Sequence, residues 1–159
     1  MKKIIFTTLF FIVSVTGFIF AQQEAEKTTH KFNPMSDPFV DVKTAVEEAT
    51  KEHKRILLDV GGEWCIWCHR LDKFIEENPE IKTYLNKNFI VVKVNVSEEN
   101  KNEKFLAQYR KIPGYPHFFV LDTDGKYLHS QGTGELEKEK SYSAELILSF
   151  LKEWAPKNN

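Results

Sequence analysis

The chain has 159 residues, the size of one domain, and its 42% hydrophobic and 28% charged residues are an ordinary globular balance. A formal charge of −1 implies no nucleic-acid or anionic-membrane partner. Two cysteines are too few to staple a disulfide-rich scaffold, and their close spacing points to a site instead.

The first segment reads as targeting. Met1-Lys2-Lys3 is basic, Ile4 to Phe20 is largely apolar, and Ala21 precedes the polar Gln22-Gln23-Glu24. This order predicts an export signal over residues 1–21, cut after Ala21. The alternative is an uncut N-terminal membrane anchor, although the run is slightly short of the ~20 residues of a typical span. Either reading exports the domain to the periplasm or the extracellular space, where a dithiol meets oxidising surroundings. Residues 22–36 are polar, lack an apolar period and read as a flexible linker. A domain is expected over 37–155, followed by a tail at 156–159.

Asp37-Pro38 has the form of an N-cap followed by proline at the first helical position. Phe39, Val42, Ala45, Val46 and Ala49 recur at helical spacing, so a helix is predicted over 38–53. Arg55 to Val60 reads as a buried strand, broken by Gly61-Gly62. A second helix is predicted over 65–78, with Cys68, Leu71, Phe74 and Ile75 on one face; Pro79 ends it, and Ile81 and Leu85 mark a further helical piece. Phe89 to Val96 reads as a strand covered on both faces. Ser97 is expected to open a third helix carrying Phe105, Leu106 and Tyr109. Strands at 117–121 and 126–129 flank Asp122-Thr123-Asp124-Gly125, a hairpin signal. A last helix starts at Ser141 or Ser143 and carries Leu146, Ile147, Phe150, Leu151 and Trp154. The alternation predicts an α/β domain with a partly parallel sheet and late antiparallel strands.

The chemistry is concentrated in Cys65-Ile66-Trp67-Cys68-His69. Two cysteines three apart at a helix start can close a small disulfide ring. Unpaired backbone N–H groups and the helix dipole favour a thiolate on Cys65, the attacking thiol, while Cys68 faces inward as the resolving thiol. The same five residues also match the C-x-x-C-H pattern of covalent haem attachment. A metal site has at most three adjacent donors here, and two buried structural cysteines are the plain alternative.

Further residues carry a family resemblance. Ile56 through Cys68, with Gly61-Gly62-Glu63-Trp64 leading into the cysteines, is similar to the active-site region of thioredoxins. Lys93 within Val92-Lys93-Val94-Asn95-Val96 resembles that family's central strand, Gly114-Tyr115-Pro116 its cis-proline loop, and Gly132 its late glycine. The likeness runs over about residues 38–155 and looks closest to thioredoxin-like domains of bacterial envelope thiol:disulfide interchange proteins.

The resemblance implies a thioredoxin fold: a central mixed sheet with helices on both faces and an extra N-terminal helix. It implies a redox disulfide between Cys65 and Cys68, no cofactor and no metal. Pro116 is then expected to be cis, beside Cys65, where its backbone pairs with an extended substrate. Asp59 is expected to be a buried carboxylate that accepts the Cys68 proton, with Lys93 as its partner. Trp64, Trp67, Tyr115 and His117 are the expected substrate contacts, and His69 either tunes the thiolate or faces solvent. The implied partners are protein disulfides or dithiols and a membrane or envelope redox protein, with the chain itself a monomer. Ile66-Trp67 departs from the Gly-Pro of thioredoxins and leaves the direction of electron flow open. Reductase or isomerase action is the expectation over primary oxidase. A binding or chaperone-like module with little turnover is the alternative.

Overall fold

The computed structural model describes residues 31–157. The expected export signal and residues 22–30 of the expected linker lie outside the described residues. Asp37 caps the first helix, α1 (Pro38–Glu52), its side chain accepting from the Phe39 N–H. Strand β1 (Arg55–Gly61) follows, then α2 (Ile66–Glu77), α3 (Pro79–Asn88) and β2 (Phe89–Asn95). After a one-turn α4 (Glu103–Leu106) come β3 (His117–Leu121) and β4 (Tyr127–Gly132). A 3-10 turn (Thr133–Leu136), the short strands β5 (Glu137–Lys138) and β6 (Ser141–Tyr142), and α5 (Ala144–Trp154) complete the order.

The main sheet has the order β2-β1-β3-β4. β1 and β2 run parallel, whereas β3 is antiparallel to both β1 and β4. Alternation along the strands divides the core in two. Leu57, Phe118 and Val120 pack with Leu71 of α2, Ile81 and Leu85 of α3, and Ile147, Phe150 and Leu151 of α5. Ile56, Leu58, Val60, Phe119 and Leu121 face the other way, toward Ala45 and Ala49 of α1 and toward Phe105. Helices therefore cover both faces of a mixed sheet, as expected, with α1 as the added N-terminal helix. The register sets Asp59 beside Lys93 on neighbouring strands.

Three local expectations change, and one hairpin goes unforeseen. The helix expected from Ser97 is reduced to α4. Asn95 Nδ2 donates to Ser97 Oγ and to the Asn100 carbonyl, and Asn102 takes a left-handed φ of 50°. Such side chains offer the backbone an alternative to helix, and here they hold residues 97–102 as a tight turn. β2 is an edge strand, so Val91 is 37% exposed rather than covered on both faces. The β5–β6 hairpin is too short to leave an alternating pattern. Finally, Phe32, in the stretch read as linker, is fully buried on the domain.

Phe119 is fully buried and stacks on Tyr109 at 4.8 Å. Phe119→Ala is expected to cost about 3–5 kcal/mol. Val91→Ala should cost under about 1 kcal/mol, both read by urea unfolding.

Candidate active site

β1 delivers the chain through Gly61, Gly62, Glu63 and Trp64 to Cys65, which is the N-cap residue of α2. At that end of the helix the first backbone N–H groups have no intrahelical partner. Cys65 Sγ accepts one of them, the Cys68 N–H, at 3.1 Å. Cys65 and Cys68 are joined as a disulfide with their Cα atoms 5.2 Å apart. Cys65 is 4% exposed and Cys68 is 1% exposed. The two glycines are a steric requirement. A Cβ on Gly61 would lie 2.5 Å from Cys68 Sγ, and one on Gly62 would lie 2.6 Å from the Val96 carbonyl.

Trp64 and Tyr115 form the outer wall. Trp64 is 60% exposed, donates from Nε1 to the Val96 carbonyl at 2.6 Å, and meets Tyr115 edge-on. The Tyr115–Pro116 peptide is cis, and the Pro116 carbonyl accepts from Thr133 Oγ1 at 2.6 Å. Tyr115 packs against the apolar cluster that holds both cysteines. Beside this wall runs a groove of about 1120 Å³ lined by Trp64, Val96, Leu106, Tyr109, Ile112 and Tyr115.

The intervening dipeptide divides its roles unexpectedly. Ile66 is 60% exposed, whereas the Trp67 ring packs edge-on to Tyr142 and beneath the Arg70 guanidinium at 4.6 Å. Trp67 is thus half-buried against its own domain, and Ile66 is the side chain at the surface. His69 bonds through Nε2 to the Glu63 carbonyl at 2.7 Å, tying the first turn of α2 to the loop before it.

His117 requires correction as an expected substrate contact. Strand alternation turns it inward, where it is 2% exposed, bonded through Nε2 to Ser130 Oγ and packed on Phe119. Burial, helped by nearby His129 and opposed by Glu135, pushes its pKa down from 6.5 to about 4. The folded ring holds a proton less well than the unfolded one. His117 therefore contributes full stability above 6.5 and loses it as pH falls toward 4. Urea unfolding of wild type and His117→Gln should show the wild-type advantage shrinking by roughly 2–3 kcal/mol between pH 7 and pH 4.

Beneath the cysteines lies a charge cluster. Lys93 Nζ donates to Asp59 Oδ2 at 2.6 Å and to Asp72 Oδ1 at 2.5 Å. Lys31 Nζ stands 3.3 Å from Asp72 Oδ2. Asp72 is one helical turn after Cys68, and both lie on the buried face of α2. Burial pushes the Asp59 pKa up, against the lowering effect of Lys93. Burial lowers Lys93, but the two carboxylates outweigh it and hold the ammonium charged. Asp72 was not a sequence candidate, because one acid on a helix is ordinarily a solvated residue.

Lys93→Met should strand two buried carboxylates and cost about 3–5 kcal/mol at neutral pH. A carboxyl whose folded pKa is raised is destabilising in its ionised form. Part of the loss should therefore return as pH falls and Asp59 takes up a proton. Denaturant midpoints measured across pH check both the loss and its recovery.

The thioredoxin-like family matches residues 35–123, and the chain belongs to it. It is similar to the disulfide bond reductase DsbH of Chlamydia pneumoniae, 31% identical over 97 residues, 55% of this chain and 58% of that protein. It is also similar to the thiol:disulfide interchange protein DsbD of Pseudomonas fluorescens, 26% identical over 125 residues, 74% of this chain but 20% of that protein. A solved disulphide isomerase from Xylella fastidiosa Temecula1 superposes with a TM-score of 0.68 at 28% identity, covering 79% of this chain and 97% of that one. The chain spans less than two thirds of the length of these two curated relatives.

Proposed function

We propose that this chain is an exported thiol–disulfide oxidoreductase working in the reducing direction, as a protein-disulfide reductase or isomerase. The observation that carries this is the pairing of two devices on α2. Cys65 caps the helix and has an N–H aimed at its sulfur, while Asp72, one turn after Cys68 on the same buried face, shares Lys93 with the buried Asp59. The names of its relatives, a reductase, an interchange protein and an isomerase, agree with that direction.

In the reduced protein the Cys65 thiolate attacks one sulfur of a substrate disulfide. An S–S bond forms between Cys65 and the substrate, and the other substrate sulfur leaves as a thiolate that takes a proton from solvent. Cys68 then gives its proton to the Asp59 carboxylate and attacks Cys65 Sγ. The mixed disulfide breaks, and the second substrate sulfur departs as a thiolate, which takes up a proton as Asp59 gives up its own. Two electrons have moved, so the substrate gains two thiols and the protein holds the Cys65–Cys68 bond. Asp59 suits the acceptor role because burial raises its affinity for a proton. A dithiol donor, in this reading an envelope or membrane redox protein, restores the reduced pair.

Substrate backbone would pair beside Pro116, with Trp64, Tyr115 and Ile66 as apolar contacts and Trp67 contributing its exposed edge. Trp64 and Ile66 are each 60% exposed and flank Cys65 in sequence. Cys68→Ala should leave a mixed disulfide on Cys65 that persists on a non-reducing gel and disappears with dithiothreitol. Failure to trap any species while Cys65 still reacts with iodoacetamide would remove the two-step mechanism. Asp59→Asn should slow insulin reduction about 10²-fold near neutral pH, with mixed-disulfide formation nearly unchanged.

A further inference from the structure

The last stretch of the segment that reads as linker is built into the site. Phe32 is fully buried although it stands in a polar run. Its ring forms one apolar cluster with Cys65 and Cys68. It comes within 3.0 Å of where a Cβ on Gly61 would lie, on the residue that also backs Cys68 Sγ. The ring centroid is 4.6 Å from Lys93 Nζ. Three polar ties hold the strap. Lys31 pairs with Asp72 of α2 at 3.3 Å. The Phe32 N–H donates to Glu63 Oε1 at 2.8 Å. Asn100 Nδ2 donates to the Pro34 carbonyl at 2.9 Å. One short segment thus joins α2, the loop before Cys65 and the turn after β2.

We infer that Phe32 is a positioning residue for the thiol chemistry, closing the wall around Cys68 and the Asp59–Lys93–Asp72 cluster so that Cys68 meets the disulfide on Cys65 and not external thiols or water. The purpose rests on the oxidoreductase reading; the enclosure rests on the geometry alone. A thiol in apolar surroundings resists ionisation by bulk solvent, so its proton leaves to a group inside the wall. The ring also lies against the Lys93 ammonium, an attraction that strengthens when water is excluded.

The test uses the full chain with Cys65→Ser, which leaves Cys68 as its one thiol. Iodoacetamide labelling is followed against pH. Phe32→Ala should speed labelling of Cys68 at least about tenfold and move its pH midpoint down toward the ordinary thiol value of about 8.5. Phe32→Leu, which refills most of the volume, should restore slow labelling. Phe119→Ala removes an equally buried ring on the opposite side of the sheet and should leave the labelling rate unchanged.

Unchanged labelling in Phe32→Ala, or an equal rise in Phe119→Ala, would overturn the inference. If Phe32→Ala does not fold, Asn100→Ala frees the Pro34 end of the strap and is read in the same way: a rise supports the enclosure and no rise overturns it. The readout needs no protein substrate. A wild-type chain that fails to reduce insulin while the Phe32 series responds would remove the oxidoreductase reading and leave the strap in place.

Discussion

Lys93 holds one ammonium between Asp59 and Asp72, and the rest of the site is arranged around that contact. The two acids come from β1 and from α2, so the lysine links the strand that leads into the cysteines to the helix that carries them. Two carboxylates with side chains only 4% and 9% exposed could not share this space without a cation. Lys31 adds a second cation on Asp72, and burial still leaves Asp59 with a raised affinity for a proton. The fold thereby holds a buried carboxyl of raised proton affinity on the strand that leads into the cysteines.

The cysteines take their unequal characters from helix geometry. Cys65 stands at the cap, where the Cys68 N–H points at its sulfur; Cys68 stands one turn in, on the buried face. Gly61 allows Cys68 Sγ and the Phe32 ring to approach the backbone together, which no side chain there would permit. The outer wall of Trp64 and Tyr115 is fixed separately, by the Val96 carbonyl and by the loop before Pro116. The buried side of the cysteine pair and its exposed wall are therefore fixed by different contacts.

Much of this was legible in the residues. The two apolar strands, the capped helices and the Gly-Gly break ahead of Cys65 are strong local signals, and they position the cysteine pair and Asp59 correctly relative to the sheet. What escaped has a physical reason in each case. Phe32 is a single aromatic in a polar run, and one residue carries no period. Asp72 acquires its meaning only through Lys93, 21 residues away. The helix expected from Ser97 gave way to asparagine side chains that bond the backbone locally. Ile66 and Trp67 are both apolar, and only the angle at which α2 begins turns the first outward and the second against Tyr142. His117 follows Pro116 in sequence, but strand alternation carries it to the inner side.

The reduction potential of the Cys65–Cys68 pair, equilibrated against glutathione and then against a stronger dithiol, tests the central claim most directly. The proposed reducing role, with no thiolate-stabilising group in the Ile66-Trp67 turn, predicts a reversible couple near that of thioredoxin, about −270 mV. A value near about −120 mV would make the chain a disulfide donor and contradict the account. The absence of any reversible couple would contradict it more completely, because the domain would then keep the fold without the chemistry.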